Sequence, residues 1–214
     1  SNMKVLLMPM KVITPIPRIA GIIPINRLTL LTALPGCGKS YSLLKFLNIN
    51  HITPIFFNLD EDAALQQFSM YNFTDPDILK SIMLGEAEDL KDTVIIIDTY
   101  IRLLDVLGVP ENTKETQIEV AQQLEKLCEY YQCTIIVIGH PEDYVGRSSI
   151  FKDNQYLVRC AAEHIHIDKI LSTKKGSQPE YRMYVNKGRG ISGSRIYEDW
   201  LREPTLNPLT NLIC

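Results

Sequence analysis

No apolar run in this chain approaches the ~18 residues a membrane-spanning helix requires. The longest runs, such as Val94-Ile95-Ile96-Ile97, stop at strand length, so no membrane association is expected. Cysteine is scarce: the five residues at 37, 128, 133, 160 and 214 are an odd number with no Cys-x-x-Cys spacing. That argues against a disulfide framework and a zinc site and points to a reducing cytoplasm, the host cytosol if a phage or plasmid encodes the chain. Strong net charge is also missing, since −3 at pH 7 does not describe a protein basic over its whole surface. The apolar patch after Lys4 is broken by Pro9, Pro15 and Pro17 with no small-residue cleavage site behind it, so no signal peptide is expected, and Ser1-Asn2 ahead of Met3 reads as a tag remnant.

What is present is globular. Hydrophobic residues make up 45% and charged residues 22%, which excludes disorder. A length of 214 residues suits one domain with an appendage. The organisation expected is an extended N-terminal segment over 1–20, a domain over 21–200 and a tail over 201–214. The charge is uneven: between Val145 and Arg195 ten Lys/Arg face four Asp/Glu, a local excess that suits an anionic partner.

Apolar runs at 28–32, 55–57, 94–98 and 134–138 read as buried strands, and 40–47, about 63–70 and 114–131 as helices. Residues 78–84 could supply a further short strand. Closing strands are expected at 165–167, 181–185 and 191–197. Strands alternating with helices predict an α/β fold with a mostly parallel sheet covered on both faces and an antiparallel C-terminal edge. Ligands then belong at the carboxyl ends of the strands.

At one such end stands Ala33-Leu34-Pro35-Gly36-Cys37-Gly38-Lys39-Ser40-Tyr41, between a strand and a helix. This is the P-loop pattern with alanine at the first glycine position. Backbone N–H groups along Leu34 to Tyr41, all but Pro35, would converge on phosphates at the helix N-terminus. Lys39 would reach the β- and γ-phosphates of ATP, and the Ser40 hydroxyl would ligate Mg²⁺. Cys37 is expected to pack rather than react. Asp98, closing its strand, is the candidate carboxylate that would hold the Mg²⁺ through water. Asp60, Glu61 and Asp62 follow the 55–57 strand. One of them can polarise the attacking water, with Glu61 favoured and Asp60 next, and another can serve a helix N-terminus.

In this order the elements resemble the RecA-like ATPase core, and more closely the hexameric replicative helicases of the DnaB type with their plasmid and phage relatives. The resemblance rests on Ala33-Leu34-Pro35 in the loop, on Phe56-Phe57-Asn58-Leu59 before Asp60-Glu61, on His140 after the 134–138 strand, and on Asn186-Lys187-Gly188-Arg189-Gly190. It covers roughly residues 20–198. It implies a RecA-like P-loop NTPase, His140 sensing the γ-phosphate, and Lys187 and Arg189 reaching a neighbouring subunit's nucleotide. It further implies a homo-oligomer, a hexamer, that hydrolyses ATP with Mg²⁺ and moves on single-stranded DNA in replication, with RNA as the alternative strand and a loader or replication partner. The 141–156 loop would line a central channel, with Arg147, Ser148, Ser149 and Lys152, and Arg159 beyond it, tracking phosphates. Tyr144, Phe151 and Tyr156 either stack on bases or pack beneath that loop. Only a short proline-interrupted leader precedes the core, so a ring is expected to close through core surfaces or through residues 1–20 laid on a neighbour.

The competing reading is a RecA-like ATP-dependent switch or recombination mediator without unwinding activity. A small-molecule P-loop kinase fits the closing basic hairpin poorly. His164 and His166 alternate on one strand and face one side; with no third ligand at hand they read as satisfied polar residues rather than metal ligands.

Overall fold

The computed structural model describes residues 16–33, 36, 38–60, 65–139, 155–171, 174–176, 179–188, 195–197 and 200–201, with 186–188 and 195–197 by backbone only. A small two-stranded sheet pairs β1 (Arg18–Ile19) with β2 (Ile23–Pro24). The main sheet contains β3 (Leu28–Ala33), β4 (Ile55–Asn58), β5 (Tyr71–Phe73), β6 (Val94–Asp98), β7 (Thr134–Gly139), β8 (Glu163–Ile170), β9 (Glu180–Gly188) and β10 (Arg195–Tyr197). The helices are α1 (Lys39–Ile49), α2 (Pro76–Met83), α3 (Tyr100–Val106), α4 (Lys114–Tyr131) and α5 (Gln155–Cys160). Across the sheet the order is β10-β9-β8-β3-β7-β6-β4-β5. The strands from β8 to β5 pair in parallel, and β9 and β10 close one edge antiparallel.

Residues in β3, β6 and β7 are buried along their whole length, as parallel strands covered on both faces must be. Their side chains divide by alternation. Leu28, Leu30, Ile95, Ile97, Ile135 and Val137 meet Leu79 of α2, Leu103 of α3, Leu124 of α4 and Leu157 of α5. Leu31, Ala33, Ile96, Ile136 and Ile138 meet Leu43, Leu44 and Leu47 of α1 on the other face. Four helices thus cover one side, and α1 with the β1–β2 hairpin covers the other.

Several elements differ from the sequence-based expectation. Residues 78–84 lie mostly in a helix, α2, because Leu79, Ile82 and Met83 recur at helical spacing on one buried face. Asp75 caps it by accepting the Asp77 N–H at 2.9 Å, and Pro76 sits at the first turn. The expected helix near 63–70 is absent from its described part: residues 65–70 make a turn that leads into β5. Helices α3 and α5 were not expected. Helix α4 matches its expected span, with Thr113 accepting the Thr116 N–H at 3.2 Å as N-cap. The closing strands are longer than expected at β8 and β9, and the 191–194 stretch lies outside the described residues.

Near its N-terminal end the sheet carries a buried ion pair. Arg18 Nη1 donates to Glu163 Oε2 at 2.8 Å and also reaches Ile22 O at 2.8 Å. The Glu163 side chain has no exposed surface, and Oε1 accepts the His164 N–H at 3.0 Å. The β1–β2 hairpin is therefore fastened to β8 through Arg18. Removing one partner of a buried pair leaves a charge poorly compensated. Arg18→Met is expected to lower unfolding free energy by about 3 kcal/mol, measured by urea denaturation; a change under about 0.5 kcal/mol would contradict the fastening role.

Candidate functional site

Parallel registers bring the strand ends level. Thr32 pairs with Gly139, Asp98 with Ile138, and Asn58 with Asp98. The segments after β3, β7, β6 and β4 therefore emerge side by side at one edge of the sheet. The Leu59 N–H donates to Asp98 O at 3.1 Å and extends that line one residue further.

Gly36 and Gly38 hold φ +76 and +65, left-handed values that a glycine adopts without penalty. Gly38 precedes α1 and offers its N-terminus no side-chain cap, so the first N–H groups of the helix face outward as an anion site would need. Lys39 is buried at 8% exposure. The Ser40 hydroxyl donates to Asp98 Oδ2 at 2.7 Å across 58 positions of sequence. These are hard oxygen donors of the kind Mg²⁺ takes with few protein ligands, the rest being water and phosphate. Tyr41 is exposed and stands edge-on to Phe68, ring centroids 5.0 Å apart. Leu34, Pro35 and Cys37 lie outside the described residues, as do Glu61 and His140; His140 directly follows Gly139.

Asp60 is engaged elsewhere. Arg102 Nε of α3 donates to its Oδ1 at 2.9 Å, and the pair is well exposed. Sequence reasoning missed Arg102 because α3 was not expected.

Lys187 is not brought to this edge. Its backbone pairs with His164, near the start of β8, beyond a register shift in the β8–β9 ladder. Tyr181, at the other end of β9, pairs with Lys169 instead, and lies six positions along the strand from Lys187, roughly 20 Å. Arg189 lies outside the described residues, as do Arg147, Ser148, Ser149 and Lys152. Arg159 of α5 stacks over the Tyr156 ring at 5.4 Å, and Lys114 over the same ring at 5.1 Å, so Tyr156 packs under cations. Gln117 of α4 accepts the N–H groups of Tyr156 and Leu157 at 3.1 and 3.2 Å, capping α5 from a neighbouring helix. A hollow of about 1190 Å³ lined by Arg27, Glu125, Lys126, Glu129, Gln132 and Arg159 opens at the N-terminal end of β3, the edge opposite the phosphate loop.

Just below the loop lies a polar chain. Thr32 Oγ1 is 2.8 Å from His164 Nε2 and 2.9 Å from His166 Nδ1, and His166 Nε2 is 3.1 Å from Asp168 Oδ1. A hydroxyl has one proton, so it donates to one ring and accepts from the other. The Asp168 carboxylate fixes the His166 proton on Nε2. Nδ1 then accepts from Thr32, and Thr32 accepts from His164. Both histidines are thus satisfied. Among the described residues, no group of three His, Cys, Asp or Glu is placed to hold a metal ion.

Burial holds the His166 pKa below its usual value, and Asp168 opposes that shift in part. The folded state therefore prefers the neutral ring. As pH falls below the ordinary histidine pKa of about 6.5, the unfolded chain takes up a proton that the fold resists, and stability declines. Urea midpoints should drop between about pH 7 and about pH 5, and His166→Gln should flatten that part of the profile; an equal slope in the variant would refute the assignment.

The fold these elements make is RecA-like. The chain superposes on a solved ATPase domain with a TM-score of 0.57 and 12% identity, covering 81% of each chain. It also superposes on a KaiC-like protein, PH0186, from the hyperthermophilic archaeon Pyrococcus horikoshii OT3, with a TM-score of 0.50 and 16% identity, covering 94% of this chain and all of that one. At these identities the likeness is one of fold. No protein-family model and no curated protein matches the sequence.

Proposed function

We propose that the chain is an ATP-hydrolysing, oligomeric helicase or translocase, hexameric and acting on single-stranded DNA in replication. The observation that carries the ATPase part is the Ser40–Asp98 hydrogen bond at 2.7 Å beside an uncapped helix N-terminus. It sets a hydroxyl and a carboxylate together at the phosphate loop, where Mg²⁺ would be held. When bound, Mg²⁺ neutralises charge on the β- and γ-phosphates. In this reading the loop from Leu34 to Tyr41 cradles the phosphates, and Lys39 and Ser40 face the γ side. Glu61 is the base that orients water, because an Asp60 oxygen is already occupied by Arg102. His140, next after Gly139, senses the γ-phosphate. The fold shared with a solved ATPase domain supports ATP as the nucleotide.

Lys187 sits far along β9 from its own phosphate loop. That placement favours action on a neighbouring subunit's nucleotide, by Lys187 and Arg189 together, over action on the chain's own. The loop with Arg147, Ser148, Ser149 and Lys152, with Arg159, is the proposed DNA contact, and a loader or other replication protein the proposed partner. A cytoplasmic setting is consistent with Cys128, Cys133 and Cys160 being free thiols; burial pushes Cys133 up to about 11 and Cys128 higher still. Among the described residues no helix is long and apolar enough to cross a membrane.

A second reading, an ATP-dependent switch or recombination mediator without unwinding activity, is favoured by the match to the whole length of the KaiC-like protein. ATP hydrolysis measured with and without single-stranded DNA separates the two. The motor reading expects strong stimulation that fades as salt rises; indifference to DNA selects the switch.

Lys39→Ala is expected to abolish hydrolysis with an unchanged thermal melt, and turnover in that variant would refute the site. Arg189→Ala should keep ATP binding and lose hydrolysis by about 10³-fold, with an unchanged rate refuting action in trans.

A further inference from the structure

Among the described residues, the atoms nearest to where a side chain on Gly38 would begin belong to Tyr181. A Cβ placed on Gly38 would lie 3.4 Å from Tyr181 Cε1 and 3.7 Å from the Tyr181 hydroxyl. Tyr181 belongs to β9, two strands from β3. Its Cα partner Lys169 stands two residues beyond Ile167, the partner of Ala33, so this end of β9 overlies the phosphate loop. The Tyr181 ring packs against the core on the α1 face. The Trp200 indole N–H donates to the Tyr181 carbonyl at 2.9 Å, and Trp200 packs on Phe46 of α1 with centroids 5.6 Å apart. Tyr181 and the helix that follows the loop therefore share one support.

We propose that Tyr181 is a positioning residue for the phosphate loop: its ring is the wall that holds Gly38 in its left-handed conformation, so that the N–H groups at the start of α1 stay aimed at the bound phosphates. Glycine brings no side chain with which to fix itself and visits both signs of φ freely. The conformation has to be imposed from outside, and the Tyr181 ring is placed to do that. A misaimed loop costs affinity for the anion while leaving later chemistry on correctly bound nucleotide alone. The inference rests on the reading of this loop as an ATP site.

The test uses the full chain with ATP and Mg²⁺, measuring affinity by calorimetry and KM and kcat by steady-state hydrolysis, for wild type, Lys39→Ala, Tyr181→Ala and Tyr181→Phe. Tyr181→Ala is expected to raise Kd and KM by about 10- to 100-fold, with kcat within about threefold of wild type. Tyr181→Phe keeps the ring and should stay within about twofold on both. A purely structural role would instead lower the melting temperature and the active fraction with KM unchanged. Wild-type Kd in Tyr181→Ala overturns the proposal, and so does an equal loss in Tyr181→Phe, which would place the effect in the hydroxyl. Should Tyr181→Ala not fold, Tyr181→Leu carries the same expectation at smaller size, and wild-type Kd in it is equally fatal. ATP binding by wild type that Lys39→Ala loses secures the underlying site. No ATP binding by wild type removes the site and this inference together, whereas normal binding by both wild type and Tyr181→Ala removes only the inference.

Discussion

In a parallel sheet the ladder bonds slant from strand to strand, and one pair of Cα partners fixes where every later residue emerges. The registers joining β3, β7, β6 and β4 are the constraint on which the site depends. They put Leu31, Ile138, Asp98 and Asn58 at one level, with Thr32 and Gly139 one residue beyond. A slip of a single residue at β6 would turn Asp98 into the core and present Ile97 to Ser40. The cost of carrying the Asp98 carboxylate into the apolar core opposes such a slip. The apolar core thereby sets the position of a carboxylate to the accuracy of a 2.7 Å hydrogen bond.

Polar chemistry inside this core keeps to particular places. The Arg18–Glu163 pair lies toward the start of β8, and the Thr32–His164–His166–Asp168 chain runs toward its end. Each member has a partner, as buried polar groups require. The chain runs under the strand that feeds the phosphate loop, and its outer member, Asp168, is part-exposed. The β9 strand joins two different surroundings, with Tyr181 against Gly38 at one end and Lys187 roughly 20 Å away at the other.

The legible parts of the sequence were those whose signal is local. Four branched apolar residues before Asp98, a glycine-lysine-serine turn between strand and helix, and the spacing of Ile118, Ala121, Leu124 and Leu127 each announce their element within a short window. Helix α2 was missed although Asp75-Pro76 is a start signal and Leu79, Ile82 and Met83 keep helical spacing; its short length let the apolar residues pass for a strand. Helix α5 had no such signal, because its N-terminal N–H groups are satisfied by Gln117, nearly forty positions earlier in the chain. The histidine pair was read as satisfied, but its partner Thr32 could not be named, since parallel pairing of β3 with β8 is what brings them together. Tyr181 and Arg102 are of the same kind. Nothing around them in sequence says what they touch.

Trp200 is the only tryptophan in the chain. Its ring lies on Phe46 of α1, and its N–H is bonded to the carbonyl of the residue whose ring covers Gly38. All indole emission from this protein therefore originates from one place, buried and mechanically tied to the helix that begins at the phosphate loop. The molecule carries its own optical gauge of that loop, readable without a label and without a second tryptophan to subtract.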